Sequence, residues 1–509
     1  MFLHQANLPD DSRGLIRMTE ISTKPSPETY AGELVRRLSM VETPSATALP
    51  ELFYRSSGAS ALHRATLNCL HDWLARYTLR EARANSRYYR EHSAYAELPP
   101  ITPGDPVDLS ALPVIDRTTV VENHESMVSD RLELRQICHS SGTTGTPLEV
   151  YKSYAEVAFI GDYFGSMFAP LRKTFAKMPL GLSFPNVNHG MPLPIPGFGK
   201  TFHGGVTDDT LIRDAVRVLR TRYRIPGHND RISVLSGLEH HILFFTSFLM
   251  EQGIDPRGFG LQSVNITGNL VASHWRDFLA DAWGAILNDR FTLTEFVGGA
   301  SRLGSSEEFV LDPQIIGEVV DDDGKPVEEG VGRLVLTGLA PWIQMQPLIR
   351  YDTGDLVWRT RRDDLSSMTF RFLGKQKNAI SRKLNGKREW LLFSGPLNEI
   401  LSPIADIRLY DWFANVRVAK DRTIGSLPVM AVKASEGDAG KIALRIAIEL
   451  RYAPHCFRER TRAIAETITQ QLRDVEGTTL GGAMDRGEVA LEFDFRPPEG
   501  LNEPIVIKI

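Results

Sequence analysis

Apolar positions recur at helical spacing through ALHRATLNCLHDWLARYTLREARANSRYYREH, where Leu70, Trp73, Leu74 and Tyr77 fall on one face. That pattern predicts a helical segment whose aromatics belong to a core. Ahead of it, residues 1–60 alternate polar, Pro and Ser positions and predict a partly disordered lead into helices. From Gly181 to Gly205 the sequence reads GLSFPNVNHGMPLPIPGFGKTFHGG, too rich in Gly and Pro to be helix throughout. RISVLSGLEHHILFFTSFLM and GLQSVNITGN then alternate strand, helix and strand, the rhythm of parallel strands joined by helical crossovers. Towards the C-terminus, WFANVRVAK, PVMAVKA, KIALRIAIEL and EVALEFDFRP read as strands, and Ile464, Ile468, Leu472 and Val475 mark one amphipathic helix. The predicted class is α/β: a large domain of mixed sheets and helices, then a small α+β C-terminal domain.

Length and charge narrow this picture. At 509 residues the chain is too long for one compact core and should divide into at least two domains. Its 58 Lys and Arg against 63 Asp and Glu give a net charge of −5, so neither nucleic acid nor an anionic membrane is expected as a partner. Cys69, Cys138 and Cys456 are odd in number and far apart, with no C-x-x-C pair, so neither a disulfide frame nor a zinc ribbon is predicted. The N-terminus lacks the pattern of a signal peptide, and the longest apolar patch, HILFFTSFLM, is too short to cross a bilayer. A cytoplasmic location is the expectation.

The candidate chemistry begins at His139, where Ser140, Ser141, Gly142, Thr143, Thr144 and Gly145 precede Thr146 and Pro147. Glycines let the backbone approach a ligand closely, and hydroxyls and exposed N–H groups supply donors to phosphate oxygens. The G-x-x-x-x-G-K-[ST] lysine pattern is missing there, so this is not a Walker A cradle. PGFGKT later imitates the end of one, but Pro194 stands where the first glycine belongs. Three further segments follow in order: Ile266-Thr267-Gly268-Asn269-Leu270, Phe291-Thr292-Leu293-Thr294-Glu295 and Arg350-Tyr351-Asp352-Thr353-Gly354-Asp355. Taken together with S-S-G-T-T-G-x-P, they resemble the G-x-E-P, aromatic-G-x-T/S-E and Y-R-T-G-D motifs of the adenylate-forming superfamily. YTLREARANSRYYREH, LPVIDRTTVVENH and GEVVDDDGKPVEEGVGRLVLTGL are similar to phenylacetate-CoA ligase and its relatives. The likeness covers roughly residues 75 to 400.

That resemblance implies residue roles. The Ser/Thr/Gly loop takes phosphates; Gly268, Asn269 and Leu270 pack along adenine; Thr294 touches the α-phosphate; Glu295 holds Mg²⁺; and Asp355 takes the ribose hydroxyls. Gly374-Lys375-Gln376-Lys377 stands where the family has its hinge, with Lys for the usual Arg. Lys377 is assigned as hinge and Lys375 as a nucleotide contact of catalytic use. The 181–205 loop should wall the pocket of the carboxylic acid, with Asn188, His189 and His203 as the polar groups that read it. The implied divisions are an N-terminal extension (1–75), partly helical or disordered, a large adenylation domain (76–373), a hinge (374–378) and a small mobile C-terminal domain (379–509).

The implied reaction is ATP-dependent activation of a carboxylic acid, aromatic by family likeness, as an acyl adenylate with loss of pyrophosphate. Coenzyme A is the expected acceptor. An amine, a carrier-protein thiol or an inorganic nucleophile such as nitrite stays open, as do a non-catalytic nucleotide-binding homologue and a homodimer. The sequence also departs from the family. Thr292 replaces a glycine, Thr146 replaces a lysine, and SRKLNGKREWLL stands for the usual VRGVNVFP. After Lys441 only Lys508 remains to supply the late catalytic lysine, and the cysteine cluster of some relatives is missing, so no structural metal is expected.

Overall fold

The structure, a computed structural model, describes residues 27–38, 40–58, 60–98, 107–140, 147–185, 199–384, 387–425, 427–436 and 441–501. Its centre is an eleven-stranded mixed sheet. One half is parallel: Lys200–His203, Met178–Phe184, His228–Leu238, Ser263–Thr267 and Ile286–Thr292 lie side by side. The predicted crossovers are present as helices Asp209–Arg220, Glu239–Glu251 and Ser273–Trp283. Asp208 caps the first by accepting from the amides of Thr210 and Leu211, and its buried stripe is Ile212, Ala215, Val216 and Leu219. Gly284, at φ +57°, ends the third and turns the chain into the next strand.

The other half is antiparallel and runs outward through Gly299–Arg302, Glu308–Leu311, Thr369–Lys375, Tyr351–Thr360, Gly330–Gly338 and Ile315–Val320. Against it pack the helices Pro27–Leu38, Leu49–Ser56 and Ala61–Asn85. Leu34, Leu38, Leu49, Phe53 and Leu67 share one core with Trp342, Leu336 and Phe370, so the described part of the lead is built into the large domain. The expected division at 75/76 falls inside Ala61–Asn85, whose apolar face continues unbroken across it.

Beyond residue 378 come a hairpin, Ile380–Leu384 and Lys387–Leu392, and the helix Ser394–Leu401. A three-stranded sheet follows, Met430–Glu436, Ile442–Glu449 and Val489–Arg496, backed by Arg458–Arg473. Ile464, Ile468 and Leu472 are buried on that helix as expected, while Val475 lies just past its end. WFANVRVAK forms no strand. Residues 412–420 are a chain of turns whose Phe413, Val416 and Ala419 enter the core beneath the parallel half of the large sheet, alongside Phe244 and Leu249. Its alternation reflects packing against helices, which a period-two pattern alone does not distinguish from sheet pairing.

Candidate active site

In open α/β sheets the carboxyl ends of parallel strands leave a crevice for ligands. Here the ends of Ser263–Thr267 and Ile286–Thr292 meet the bulged start of Tyr351–Thr360 and the end of Thr369–Lys375 around a cleft of about 2090 Å³. Thr294, Glu295, Gly268, Asn269, Leu270, Asp355, Lys375 and Lys377 all line it.

The antiparallel register sets Asp355 directly opposite Lys375. Lys375 Nζ lies 2.8 Å from Asp355 Oδ1, while Oδ2 of this carboxylate, 3% exposed, has no hydrogen-bond partner among the described residues. A buried acceptor left over after its ion pair is an unmet demand for a donor. Gly354 supplies φ +71° to the bulge, and Thr353 Oγ1 accepts from the Asp355 amide at 3.2 Å. Asp352, by contrast, is engaged by Arg333 and by the Gly354 amide.

Glu295 is 5% exposed, and the Tyr351 hydroxyl donates to its Oε1 at 3.4 Å. Burial pushes this carboxyl above the ordinary range, and the charges of Lys375 and Arg117 only partly offset the effect. Burial, together with the Glu295 charge, drives the Tyr351 hydroxyl well above its usual value. Thr294 sits on the preceding turn. Thr292 shares a 2.8 Å hydroxyl contact with Thr267.

Gly268 adopts φ +118°, and an added Cβ there would collide with Glu239 Oε2. Glu239 is fully buried; it accepts from the Asn269 amide at 3.1 Å and from Asn269 Nδ2 at 2.6 Å, and its Oε1 lies 3.0 Å from His240 Nδ1. Burial alone would raise this carboxyl, but the His240 partner and the Asn269 bonds hold it below the ordinary range. A charged side chain thus pins the loop from behind. Sequence reasoning missed Glu239, whose signal was its place at a strand-to-helix turn beside two histidines. It also missed Arg117, which lines the cleft and whose Nη2 donates to Ser140 Oγ at 3.1 Å, and Asp289, which is buried against Arg302 at 2.7 Å.

Ser140 is therefore placed at the mouth of the site, also accepting from the Leu148 amide at 3.0 Å. Ser141, Gly142, Thr143, Thr144 and Gly145 lie outside the described residues, as do Asn188, His189 and Lys508. His203 is not brought to the site: it is exposed at the end of the edge strand and does not line the cleft, whereas Gly204 and Gly205 do. Lys377 lies on the short turn Gln376–Asn378, just past Gly374 at φ +114°. No helix among the described residues is long and apolar enough to cross a membrane, and no cluster of three or more metal-ligating side chains occurs among them.

No protein-family model matches the sequence, and no curated protein does. Solved structures do match the fold. One is 2-hydroxyisobutyryl-CoA ligase in its postadenylation state with 2-HIB-AMP: TM-score 0.59, 16% identity, covering 90% of this chain and 90% of that one. The same ligase with R3-HIB-AMP gives TM-score 0.59 at 15% identity over 88% and 89% of the two chains. With 2-HIB-AMP and CoA in the thioesterification state it gives TM-score 0.51 at 16% identity over 88% and 89%. The chain shares the fold of that CoA ligase, and at this identity the likeness is one of fold alone.

Proposed function

We propose that this protein activates a carboxylic acid with ATP, forming an acyl adenylate and releasing pyrophosphate, and passes the acyl group to coenzyme A. The observation that carries the reading is the buried Asp355 carboxylate, ion-paired through one oxygen and unsatisfied at the other, in the same cleft as the buried Glu295. A carboxylate so held suits a ribose diol, which offers hydroxyl donors to an ionised acceptor. Gly268, Asn269 and Leu270, fixed by Glu239, offer a flat backbone surface to adenine.

In the first step a carboxylate oxygen of the acid attacks the α-phosphorus of ATP. The bond to the bridging oxygen of the β-phosphate breaks, and pyrophosphate carries away the electron pair. No covalent protein intermediate is required, so catalysis is alignment plus charge stabilisation. Thr294 and Ser140 offer hydroxyls, and Arg117 and Lys375 offer positive charge to the phosphate oxygens. Glu295 fits Mg²⁺, a hard cation that takes one or two carboxylates together with phosphate oxygens and waters; among the described residues its only hydrogen bond to another side chain is the long one from Tyr351. When bound, the ion would neutralise charge on the departing pyrophosphate. In the second step the thiol sulfur attacks the acyl carbon, AMP leaves, and the thiol proton passes to solvent. Residues 374–378 are the proposed hinge for the change between steps, since Gly374 is the position where the backbone adopts a conformation open to glycine.

Pyrophosphate release across a panel of aromatic and aliphatic acids, with and without coenzyme A, tests the reading. Acid-dependent release that leads to thioester only with coenzyme A is expected. Release absent with every acid, in protein that binds ATP, would reduce the chain to a nucleotide-binding homologue.

A further inference from the structure

Residues 412–421 follow the proposed hinge in sequence yet are fastened to the large domain. The backbone amides of Arg417 and Val418 donate to Asp209 Oδ1 at 2.8 and 3.0 Å, at the start of Asp209–Arg220. Those of Lys420 and Asp421 donate to the Glu251 carboxylate at 2.8 and 3.2 Å, at the end of Glu239–Glu251. Between these anchors Phe413 stacks on Phe244, centroids 4.2 Å apart and planes 16° apart. The segment is a strap over two helices, held by two carboxylates and a shared core.

Trp412 sits on this strap. Its indole lies 4.9 Å from the His240 ring at an interplanar angle of 30°, and both residues line the cleft together with Pro185, Gly204 and Gly205. His240 is itself fixed through Nδ1 by the buried Glu239. One end of the cleft is thus a flat aromatic wall beside two positions that present backbone alone. A planar ring gains area and favourable quadrupole contacts on such a wall, whereas a branched aliphatic chain of equal size does not lie flat on it.

We propose that this strap is a permanent part of the large domain and that Trp412, braced by His240, is the specificity-determining wall for a planar aromatic carboxylic acid. The proposal rests on the acid-activation reading above and deepens it. It also divides the chain differently from a simple two-domain order: the unit free to rotate excludes residues 412–421, and the strap joins that unit at Arg408, which donates to Glu449 at 2.6 Å, and at Thr423, whose carbonyl accepts from Arg451 at 2.8 Å.

Two measurements test it, neither of which needs turnover. In calorimetric titrations with benzoate-type acids and branched aliphatic acids of equal carbon number, Trp412→Ala should weaken the aromatic acids at least tenfold. It should leave the aliphatic acids and ATP within about twofold, and Trp412→Phe should stay near wild type. Aromatic affinity unchanged in Trp412→Ala, or no preference for aromatic acids in the wild type, overturns the wall. Hydrogen exchange on the wild-type protein reads the strap independently of any variant. The amides of Arg417, Val418, Lys420 and Asp421 should keep their protection when ATP and acid are added together, and its loss would overturn the fixed strap. Failure to release pyrophosphate sinks the activation reading, while these binding results still decide the wall.

Discussion

Replacing Asp355 by Asn removes one charge with little change of shape, at a position where the structure specifies both what is lost and what is kept. Oδ1 is paired with Lys375 at 2.8 Å and Oδ2 is unpartnered among the described residues. A ligand hydroxyl donating to a charged acceptor contributes about 1.5–3 kcal/mol, more than a neutral pair. The variant should therefore bind ATP and AMP roughly ten- to 150-fold more weakly, and equally so for both, because the ribose is common to them. The loss should vanish for 2′,3′-dideoxy-ATP, which has no hydroxyls to donate. Titration of the three nucleotides into both proteins closes a double-mutant cycle, with a thermal melt to check the fold. Equal weakening for the dideoxy nucleotide would show that the substitution acts through the orphaned Lys375 ammonium, and unchanged affinity for ATP and AMP would remove Asp355 from the nucleotide site.

Glu295→Gln should lower pyrophosphate exchange at least a hundredfold in a folded protein, the scale of one preorganised charge contact. Burial raises the Glu295 carboxyl, so wild-type activity should fall on acidification at a higher pH than an ordinary carboxylate would set, and the pH–rate profile of any residual Glu295→Gln activity should lack that limb. Gly268→Ala combines a strained φ with a collision against Glu239 and should weaken ATP binding by about tenfold or more, read by the same titration. His71, bonded to the Pro313 carbonyl, and His241 are both held by burial down to about 4. The unfolded chain then binds protons first, so stability to urea should decline as pH falls from about 6.5 to about 4, by up to about 3 kcal/mol for each group, and His71→Gln should flatten part of that slope. A urea midpoint independent of pH over that window would contradict it.

The crossovers of the parallel half and the three C-terminal strands were legible because each depends on local periodicity, as in Ile212, Ala215, Val216 and Leu219. So were the turn carrying Glu295 and the bulged strand carrying Asp355, where residue types and order carry the signal. What the sequence hid were partners distant along the chain. Glu239 reaches Asn269 across 30 residues and Arg117 reaches Ser140 across 23, and neither spacing has a periodic signature. His203 misled because position in a Gly/Pro-rich segment says nothing about where a strand ends. The strap misled because Phe413, Val416 and Ala419 are apolar for the sake of helices almost two hundred residues earlier.

That strap also determines how the protein can be cut. Phe244 and its neighbours have their cover supplied by residues 409–419, so a fragment ending at the hinge would present a greasy face to water and associate with itself. The carboxylates of Asp209 and Glu251 would lose their backbone partners at the same time. Exchange of the C-terminal portion with that of another protein of this fold would therefore disturb the Trp412 end of the cleft whenever the joint is placed at residue 378. A graft that keeps residues 403–427 with their own large domain and replaces only the flanking segments respects the way this molecule is assembled.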